Sequence, residues 1–270
     1  MAVAEMTAQK DKVHINRLAG ALGAELRGLN LASLTANGLA TLNKALIDHH
    51  VVAVRDQKLT PGELHAFTQM LGPTHAYQAA AKSMGHPGFP DIIRLVNTGY
   101  AKAVTHYWHS EASAWPAPPS FTILSAQILP SAGGDTMFAN QHLALETLSP
   151  ALQQMLSSMR AHHSVAYQSG TGSEAVHPVV RTHPVTGRRA LYVNRYFTKH
   201  FEGMSVEESR PLLAYFEAHS VRDELVYRHR WELGDVVIWD NRSVQHRATQ
   251  DYGDEDRLMF HVEVKDEIPA

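Results

Sequence analysis

Two residue types that bind metals stand one residue apart in the segment THYWHSEASAWPAPPSF, residues 105–121. His109 offers an imidazole and Glu111 a carboxylate. In an extended strand, residues i and i+2 point to the same face, so such a pair would bind one ion from a single short segment. The chain contains 18 histidines among 270 residues, so chance also explains the spacing, and a third ligand is needed to decide between the two interpretations.

The best candidate for that third ligand is His246, in the segment GDVVIWDNRSVQHRATQDY, residues 234–252. A buried-looking strand there ends in Asp240 and Asn241, which favour a turn, and His246 follows. Two histidines and one carboxylate on a β scaffold form the facial triad of non-haem Fe(II) oxygenases, which leaves positions open for an oxidant and a bidentate organic acid. The alternatives are a histidine in a capped loop, or a catalytic zinc site with the same donor set.

Two further segments contain groups that suit an organic acid. In PSAGGDTMFAN, residues 130–140, two glycines allow close backbone approach and Thr136 offers a hydroxyl where a strand resumes, although an ordinary turn explains the pattern equally well. In RLMFHVEV, residues 257–264, strand alternation puts Arg257, Met259 and His261 on one face. An arginine inside a β scaffold needs an anionic partner, since a buried unpaired guanidinium is very costly. A dicarboxylate held bidentately would supply that partner.

Several helices that would surround these segments have clear start signals. Thr60, Pro61 and Glu63 have the pattern of a capping box, Ser149 precedes Pro150 in the same way, and a second capping box begins at Ser205. Strand-like runs rich in β-branched residues lie between the helices, at 51–56, 122–129, 190–194, 225–231, 235–240 and 258–264.

The order of these elements does not follow the strand–helix alternation of a parallel doubly wound fold. No G-x-G-x-x-G, Walker loop or G-x-S-x-G segment occurs in the chain. The pattern therefore favours an α+β or mainly-β architecture, including a jelly roll decorated by helices.

Composition narrows the class of protein. The hydrophobic fraction of 44% and the charged fraction of 19% are those of a globular protein. The net charge of −3 does not suggest a nucleic-acid or membrane partner, and no apolar run is long enough for a transmembrane helix. The chain has no cysteine, which excludes disulfides and thiolate ligands, and the N-terminal residues lack a secretion signal. We therefore expect a cytoplasmic location.

Four segments, residues 23–73, 108–140, 177–205 and 234–264, together resemble the taurine dioxygenase-like family of Fe(II)- and 2-oxoglutarate-dependent dioxygenases. The resemblance covers nearly the whole chain in the right order. It implies a single dioxygenase domain over residues 1–270, with an α+β fold built on a double-stranded β-helix (jelly-roll, cupin-like) core and flanking helices. It also implies a homo-oligomer, a dimer or a tetramer.

Carried over by position, the resemblance implies that His109, Glu111 and His246 are the iron ligands. It implies that Thr136 and Arg257 hold the co-substrate 2-oxoglutarate. The implied activity is hydroxylation of an unactivated C–H bond of a small organic substrate by O2, with decarboxylation of 2-oxoglutarate to succinate and CO2.

The chain departs from the family pattern at several positions. Glu111 stands where the family usually has aspartate, and a halogenase is disfavoured because halogenases lack this carboxylate. His261 stands where taurine dioxygenase has a sulfonate-binding arginine, while Tyr77 and Thr105 replace a histidine and an asparagine. With Phe197, these residues are the implied substrate contacts, and taurine itself is not expected to be the substrate.

Two other functions remain as alternatives at this point. A non-catalytic β-barrel that binds a metal or 2-oxoglutarate would make Glu111 a sign of lost activity. A zinc hydrolase would use the same three ligands but would leave Thr136 and Arg257 without a role.

Overall fold

The computed structural model describes residues 13–76, 84–97, 106–165 and 172–269. Its helices are α1 (Ala36–His49), α2 (Pro61–Leu71), α3 (Gln141–Glu146), α4 (Pro150–Leu156) and α5 (Val206–Ser220), with short 3-10 helices at Leu31–Ser33 and Asp223–Leu225.

The predicted helix starts are confirmed at α2, α4 and α5. The Thr60 hydroxyl accepts a hydrogen bond from the Glu63 backbone N–H, and the Glu63 carboxylate accepts one from the Thr60 N–H. Ser205 and Glu208 form the same reciprocal pair at α5. Each cap satisfies backbone donors that the first helical turn leaves without a partner.

The strands, in chain order, are β1 (His14–Arg17), β2 (Ala24–Arg27), β3 (Val51–Val54), β4 (Gly85–His86), β5 (Phe89–Asn97), β6 (Phe121–Ile128), β7 (Thr136–Asn140), β8 (Arg160–Val165), β9 (Ser173–Pro178), β10 (Val180–Thr182), β11 (Arg189–Leu191), β12 (Thr198–Phe201), β13 (Val226–His229), β14 (Val236–Asp240), β15 (Val244–Ala248) and β16 (Arg257–Val264).

These strands form one large sheet and three small ones. The large sheet has eight strands in the order β1–β2–β3–β14–β6–β16–β5–β4, and the pair β2–β3 is parallel. A three-stranded antiparallel sheet has the order β13–β7–β15. The remaining sheets are β12–β8–β9 and the pair β10–β11. This sheet-rich architecture with few helices confirms the expected mixture of α and β structure.

The large sheet is covered on both faces. Along β3, Val52 and Val54 pack into a core with residues of α1 and α2, such as Leu46 and Phe67. Val51 and Ala53 point the other way, into a second core. That second core also contains side chains from the β13–β7–β15 sheet, namely Phe138, Tyr227 and Val244. The sheet alternation therefore puts helices on one face and a second sheet on the other.

The predicted strands are largely confirmed, with one clear exception. The run at 190–194 was expected to be extended throughout, but β11 ends at Leu191. The chain turns soon afterwards, because the Asn194 side chain accepts a hydrogen bond from the Phe197 N–H. An asparagine that bonds to the backbone ahead of it favours a turn over a continued strand.

In the described part of the chain, no helix combines the length and the apolar character needed to cross a bilayer.

Candidate active site

His109, Glu111 and His246, the three predicted metal ligands, come together in the folded chain. One ligand atom of each lies within 4.8 Å of the others. His246 belongs to β15, and its backbone pairs with that of His109 through two hydrogen bonds, His109 N–H to His246 O at 3.1 Å and His246 N–H to His109 O at 2.8 Å. This isolated bridge brings the two imidazoles to a centroid separation of 4.2 Å. The main chain itself therefore sets the spacing of the two histidines.

The expectation that His109 and Glu111 share one extended strand is wrong. Only His109 pairs with a neighbour, and Glu111 begins a turn in which Ala112 has a φ of 44° and accepts a hydrogen bond from the Trp115 N–H. Pro116, Pro118 and Pro119 follow, and prolines have no N–H with which to continue a ladder. The two side chains converge because the backbone turns, not because a strand alternates.

The donor groups are in the forms that bind a metal. The His109 Nδ1–H donates to the Tyr107 carbonyl at 2.8 Å, which leaves Nε2 with a free lone pair. Burial raises the pKa of Glu111, but the nearby imidazoles of His261, His109 and His246 outweigh it and hold that pKa well below its usual range. Burial lowers the pKa of His246, so its imidazole is neutral. Imidazole lone pairs and an ionised carboxylate fit a divalent transition metal.

Arg257 begins β16 and lines the same pocket as the metal-ligand set. Only 5% of the residue is exposed, and its Nε and Nη2 atoms have no hydrogen-bond partner among the described residues. Its guanidinium lies 6.0 Å from the centre of the Trp231 ring, and burial lowers its pKa. A buried guanidinium with unsatisfied donors is costly unless an anion binds it.

Thr136, the first residue of β7, also lines this pocket. Its hydroxyl oxygen accepts a hydrogen bond from the Trp231 Nε1–H at 3.1 Å. A hydroxyl that accepts one bond can still donate its own proton, so Thr136 can bind a carboxylate beside Arg257.

The two glycines before Thr136 allow a close approach of the backbone, as predicted. Gly133 and Gly134 have φ values of 79° and 70°. A Cβ at Gly133 would lie 2.8 Å from the Asp251 carbonyl oxygen, and the Gly134 N–H donates to the Asp251 carboxylate at 2.9 Å. A side chain at Gly133 would push this segment away from Asp251, in the loop that joins β15 to β16.

The pocket that these groups share has a volume of about 410 Å³. It lies between the large sheet, which contributes Trp239 and Arg257, and the small sheet, which contributes Thr136 and His246. The rest of its wall is mostly apolar and includes Ile93, Leu95, Ala112, Trp115, Leu124, Val165, Phe197 and Ala248. A larger surface cleft of about 690 Å³ beside the start of α1 is lined only by uncharged residues and contains none of the predicted ligands.

The sequence also predicted four substrate contacts. His261 and Phe197 line the pocket, and both are more than nine-tenths buried. The His261 Nε2 lies 3.7 Å from a Glu111 carboxylate oxygen. Tyr77 and Thr105 lie outside the described residues.

Sequence reasoning missed two residues of this pocket region. Glu263 lines the pocket with only 3% of its surface exposed, its Oε1 lies 3.7 Å from the His261 Nε2, and burial raises its pKa to about 8. The alternation of side chains along β16 could have identified Glu263 from the sequence, because it is the next residue after His261 on the same face. Trp231, which contacts both Thr136 and Arg257, follows the end of β13 and has no local signal in the sequence.

The chain is similar to known proteins over almost its whole length. The family model described as taurine catabolism dioxygenase TauD, TfdA family, matches residues 14–262. The alpha-ketoglutarate-dependent sulfate ester dioxygenase of Pseudomonas putida is 32% identical over 285 residues, which cover 96% of this chain and 91% of that protein.

Solved structures agree with this match. A taurine dioxygenase from Burkholderia xenovorans is similar with a TM-score of 0.87 at 32% identity, covering 96% of this chain and 91% of that one. AAD-2 in complex with Mn(II) and N-oxalylglycine is similar with a TM-score of 0.82 at 27% identity, covering 96% of this chain and 99% of that one.

These matches and the pocket define the class of protein as a 2-oxoglutarate-dependent oxidoreductase. Within that class, the chain belongs to the TauD/TfdA family of dioxygenases.

Proposed function

We propose that this protein is an Fe(II)- and 2-oxoglutarate-dependent dioxygenase that hydroxylates an unactivated C–H bond of a small organic substrate other than taurine. One atom of O2 enters the substrate as a hydroxyl group. The other enters succinate as 2-oxoglutarate loses CO2. The observation that carries this proposal is the presence, in one pocket, of a converged His-Glu-His set and a buried guanidinium with unsatisfied donors.

Each group in the pocket has a proposed task. His109 and His246, through Nε2, and Glu111, through its carboxylate, hold Fe(II). When bound, the iron supplies the redox chemistry with O2. Arg257 and Thr136 hold the distal carboxylate of 2-oxoglutarate by charge-assisted and neutral hydrogen bonds, which orients its keto acid end toward the ligand set.

Aromatic packing keeps the His246 imidazole in place. The Trp239 ring is fully buried, and its centroid lies 4.6 Å from that of the His246 ring. The centroid of the Phe138 ring lies 6.3 Å from that of the His246 ring. These contacts restrict rotation of the imidazole, so its lone pair stays directed toward Glu111. They also keep water from the inner wall of the pocket.

We further propose that the large sheet and the β13–β7–β15 sheet are the two halves of a double-stranded β-helix within one domain. The side chains that the two sheets share in one core support this proposal.

The test of the reaction is succinate formation from 2-oxoglutarate, in air and with added Fe(II), across a panel of small organic substrates. We expect substrate-dependent succinate with the wild type and none with Glu111→Ala. The exposed Glu224→Ala is the matched control and should behave as the wild type does. Hydrolysis of an ester with Zn(II), without any succinate, would support a zinc hydrolase instead.

A spectroscopic experiment tests the ligands without turnover. Under anaerobic conditions, Fe(II) and 2-oxoglutarate should give the weak visible charge-transfer band of a chelated oxoacid, and His246→Ala should remove it. A band that persists in His246→Ala would show that His246 is not the third ligand. A band in the wild type without succinate from any substrate would favour a non-catalytic binding protein.

A further inference from the structure

The turn that follows Glu111 has a backbone conformation that few non-glycine residues adopt. Ala112 has a φ of 44°, and its carbonyl accepts a hydrogen bond from the Trp115 N–H at 2.8 Å. A residue with a Cβ stays in the left-handed region only where the surrounding structure holds it there. The Glu111 carboxylate is also at the end of a long side chain with several rotamers. Contacts that fix this turn therefore also fix the position of a metal ligand.

Buried polar side chains supply contacts of this kind at Ser113. Its hydroxyl is fully buried, accepts a hydrogen bond from the Asn194 Nδ2–H at 3.0 Å and lies 3.1 Å from the His163 Nδ1. Burial lowers the pKa of His163 to about 3, so the imidazole is neutral and its Nδ1 can accept the hydroxyl proton. The Ser113 hydroxyl is thus bonded on both sides.

The next two residues of the turn are held through their carbonyl groups. The Ala114 carbonyl accepts a hydrogen bond from the Ser173 hydroxyl at 2.8 Å, and the Trp115 carbonyl accepts one from the His177 Nε2–H at 3.0 Å. Ser173 and His177 both belong to β9. The β12–β8–β9 sheet contributes none of the proposed metal ligands, yet it holds the turn that follows one of them.

The Asn194 side chain has a second partner, in the wall of the pocket. Its Oδ1 accepts a hydrogen bond from the Phe197 N–H at 2.9 Å, and Phe197 lines the pocket. Only 1% of Asn194 is exposed, and its backbone N–H donates to the Thr198 hydroxyl at 2.9 Å. A single buried amide therefore joins the turn after Glu111 to the Phe197 backbone, with its donor on one side and its acceptor on the other.

We propose that Asn194 is a positioning residue, which sets the Glu111 carboxylate through Ser113 and the pocket wall through the Phe197 backbone. Without its hydrogen bond to Ser113, the turn can relax from the left-handed conformation at Ala112, which moves the carboxylate away from the two imidazoles. Groups that orient metal ligands from outside the ligand set typically contribute about 10–100-fold to metal affinity. This inference rests on the proposed function, because Glu111 is a ligand of that same site.

Metal affinity tests the effect on Glu111. Mn(II) is titrated by calorimetry into protein that contains N-oxalylglycine, so that no turnover occurs. We expect Ser113→Ala and Asn194→Ala each to raise the Mn(II) dissociation constant by about tenfold or more. An unchanged Mn(II) dissociation constant in a folded Ser113→Ala would overturn the proposal.

Ser209→Ala is the matched control. Ser209 is also fully buried, and its hydroxyl accepts a hydrogen bond from the Phe201 N–H at 3.0 Å, away from the pocket. This variant should lower the free energy of unfolding, measured in urea, but should leave the Mn(II) dissociation constant unchanged. If it weakens Mn(II) binding as much as Ser113→Ala does, the effect is one of general stability and the proposal fails.

A double-mutant cycle tests whether Asn194 acts through Ser113. In that case, adding Asn194→Ala to Ser113→Ala should raise the Mn(II) dissociation constant little further, because the two side chains share one contact. Effects of the two substitutions that multiply fully would overturn the link. The visible band of the anaerobic Fe(II) and 2-oxoglutarate protein should also shift in wavelength in Asn194→Ala and not in Ser209→Ala, and an unshifted band would count against the proposal.

Hydrogen exchange tests the other contact of Asn194. The Phe197 amide proton, followed by NMR, should exchange faster in Asn194→Ala, because its acceptor is lost. Ser113→Ala leaves that acceptor in place and should not change this rate. Equal Phe197 exchange rates in the wild type and Asn194→Ala would overturn the role of Asn194 in the pocket wall.

The proposed function is checked separately by Glu111→Ala. If the wild type binds Mn(II) no more tightly than Glu111→Ala does, Glu111 is not a ligand and the proposed function fails. If the wild type binds Mn(II) more tightly than Glu111→Ala while Ser113→Ala and Asn194→Ala bind as the wild type does, only the positioning role of Asn194 fails.

Discussion

Two buried arginines, Arg242 and Arg257, differ in whether the protein supplies hydrogen-bond partners for the guanidinium group. Arg242 donates from Nε and Nη2 to the two Asp240 oxygens at 2.8 and 2.7 Å, and Asp240 also accepts from His183 at 2.9 Å. Arg257 has no partner for Nε or Nη2 among the described residues, although it is just as buried. The first arginine is satisfied by the fold, while the second requires a ligand. A buried charge is therefore informative about function only when its hydrogen bonds are counted.

Asp240 and His246, six residues apart in the chain, also differ in whether the protein supplies their partners. Asp240 ends β14 in a closed network, and His246, in the next strand, has a neutral imidazole directed at Glu111. Burial raises the pKa of Asp240, but Arg242 and His183 outweigh it and hold that pKa well below its usual range. Asp240 thus has its counterions within the protein. The side chains of the metal-ligand set, by contrast, require a bound metal ion as their partner.

The largest expected effect on stability comes from opening the closed network. Asp240→Asn keeps the shape of the side chain but leaves Arg242 buried without its counterion. We expect a loss of about 3–5 kcal/mol in the free energy of unfolding of the ligand-free protein, measured by urea denaturation. The exposed Asp254→Asn is the control and should change that free energy by less than about 0.5 kcal/mol. A loss below about 1 kcal/mol would contradict the idea that this network is closed.

Replacing Arg257 should not lower the stability of the ligand-free protein, but it should weaken ligand binding. Arg257→Met replaces an unsatisfied guanidinium with an apolar chain, so the ligand-free protein should be equally or more stable. Loss of the charge-assisted contact should cost at least about 2 kcal/mol of N-oxalylglycine binding to the Mn(II) protein, which is about a thirtyfold higher dissociation constant. The exposed Arg210→Met is the control for both measurements. A shift of less than about threefold would show that another cation holds the distal carboxylate.

The smallest effect concerns a neutral histidine beside the closed network. His50 is the left-handed C-cap of α1, its Nδ1 contacts the Ser243 hydroxyl, and burial lowers its pKa to about 3. Because the unfolded chain binds a proton near pH 6.5 and the folded chain does not, stability should fall as the pH falls from about 6.5 toward 3. For this one group the loss between pH 6 and 5 is roughly 1 kcal/mol.

His50→Asn removes this dependence while keeping a residue that tolerates the left-handed conformation. Urea denaturation at pH 6 and 5 should show a fall in the free energy of unfolding that is smaller by roughly 1 kcal/mol than in the wild type. The exposed His14→Asn should leave the fall unchanged. Equal slopes for wild type and His50→Asn would mean that His50 is protonated in the folded state.

Local chemistry made part of this structure predictable from the sequence. The caps at Thr60, Ser149 and Ser205 depend on hydrogen bonds within one helical turn, so the residue types were sufficient. The face of β16 shared by Arg257 and His261 follows from alternation alone, and the same rule carried two residues further would have found Glu263.

What the sequence did not provide depends on contacts between distant segments. The prolines after Glu111 indicate that a strand ends there, but the bridge between His109 and His246 is a long-range pairing that no local pattern shows. The role of Trp231 as a donor to Thr136 likewise arises only when the turn after β13 meets the start of β7. The hydrogen-bond counts that distinguish Arg242 from Arg257 require the assembled fold.

The backbone bridge between His109 and His246 also has a consequence for how metal binding and folding are coupled. The bridge joins segments more than half the chain apart, so the loop between them must be closed as the protein folds. The loss of chain entropy that accompanies this closure belongs to the folding reaction, not to metal capture. An ion that arrives afterwards meets imidazoles already held side by side. The free energy of coordination is then available for affinity, unlike in small metal-dependent domains, where the same free energy drives the chain to fold.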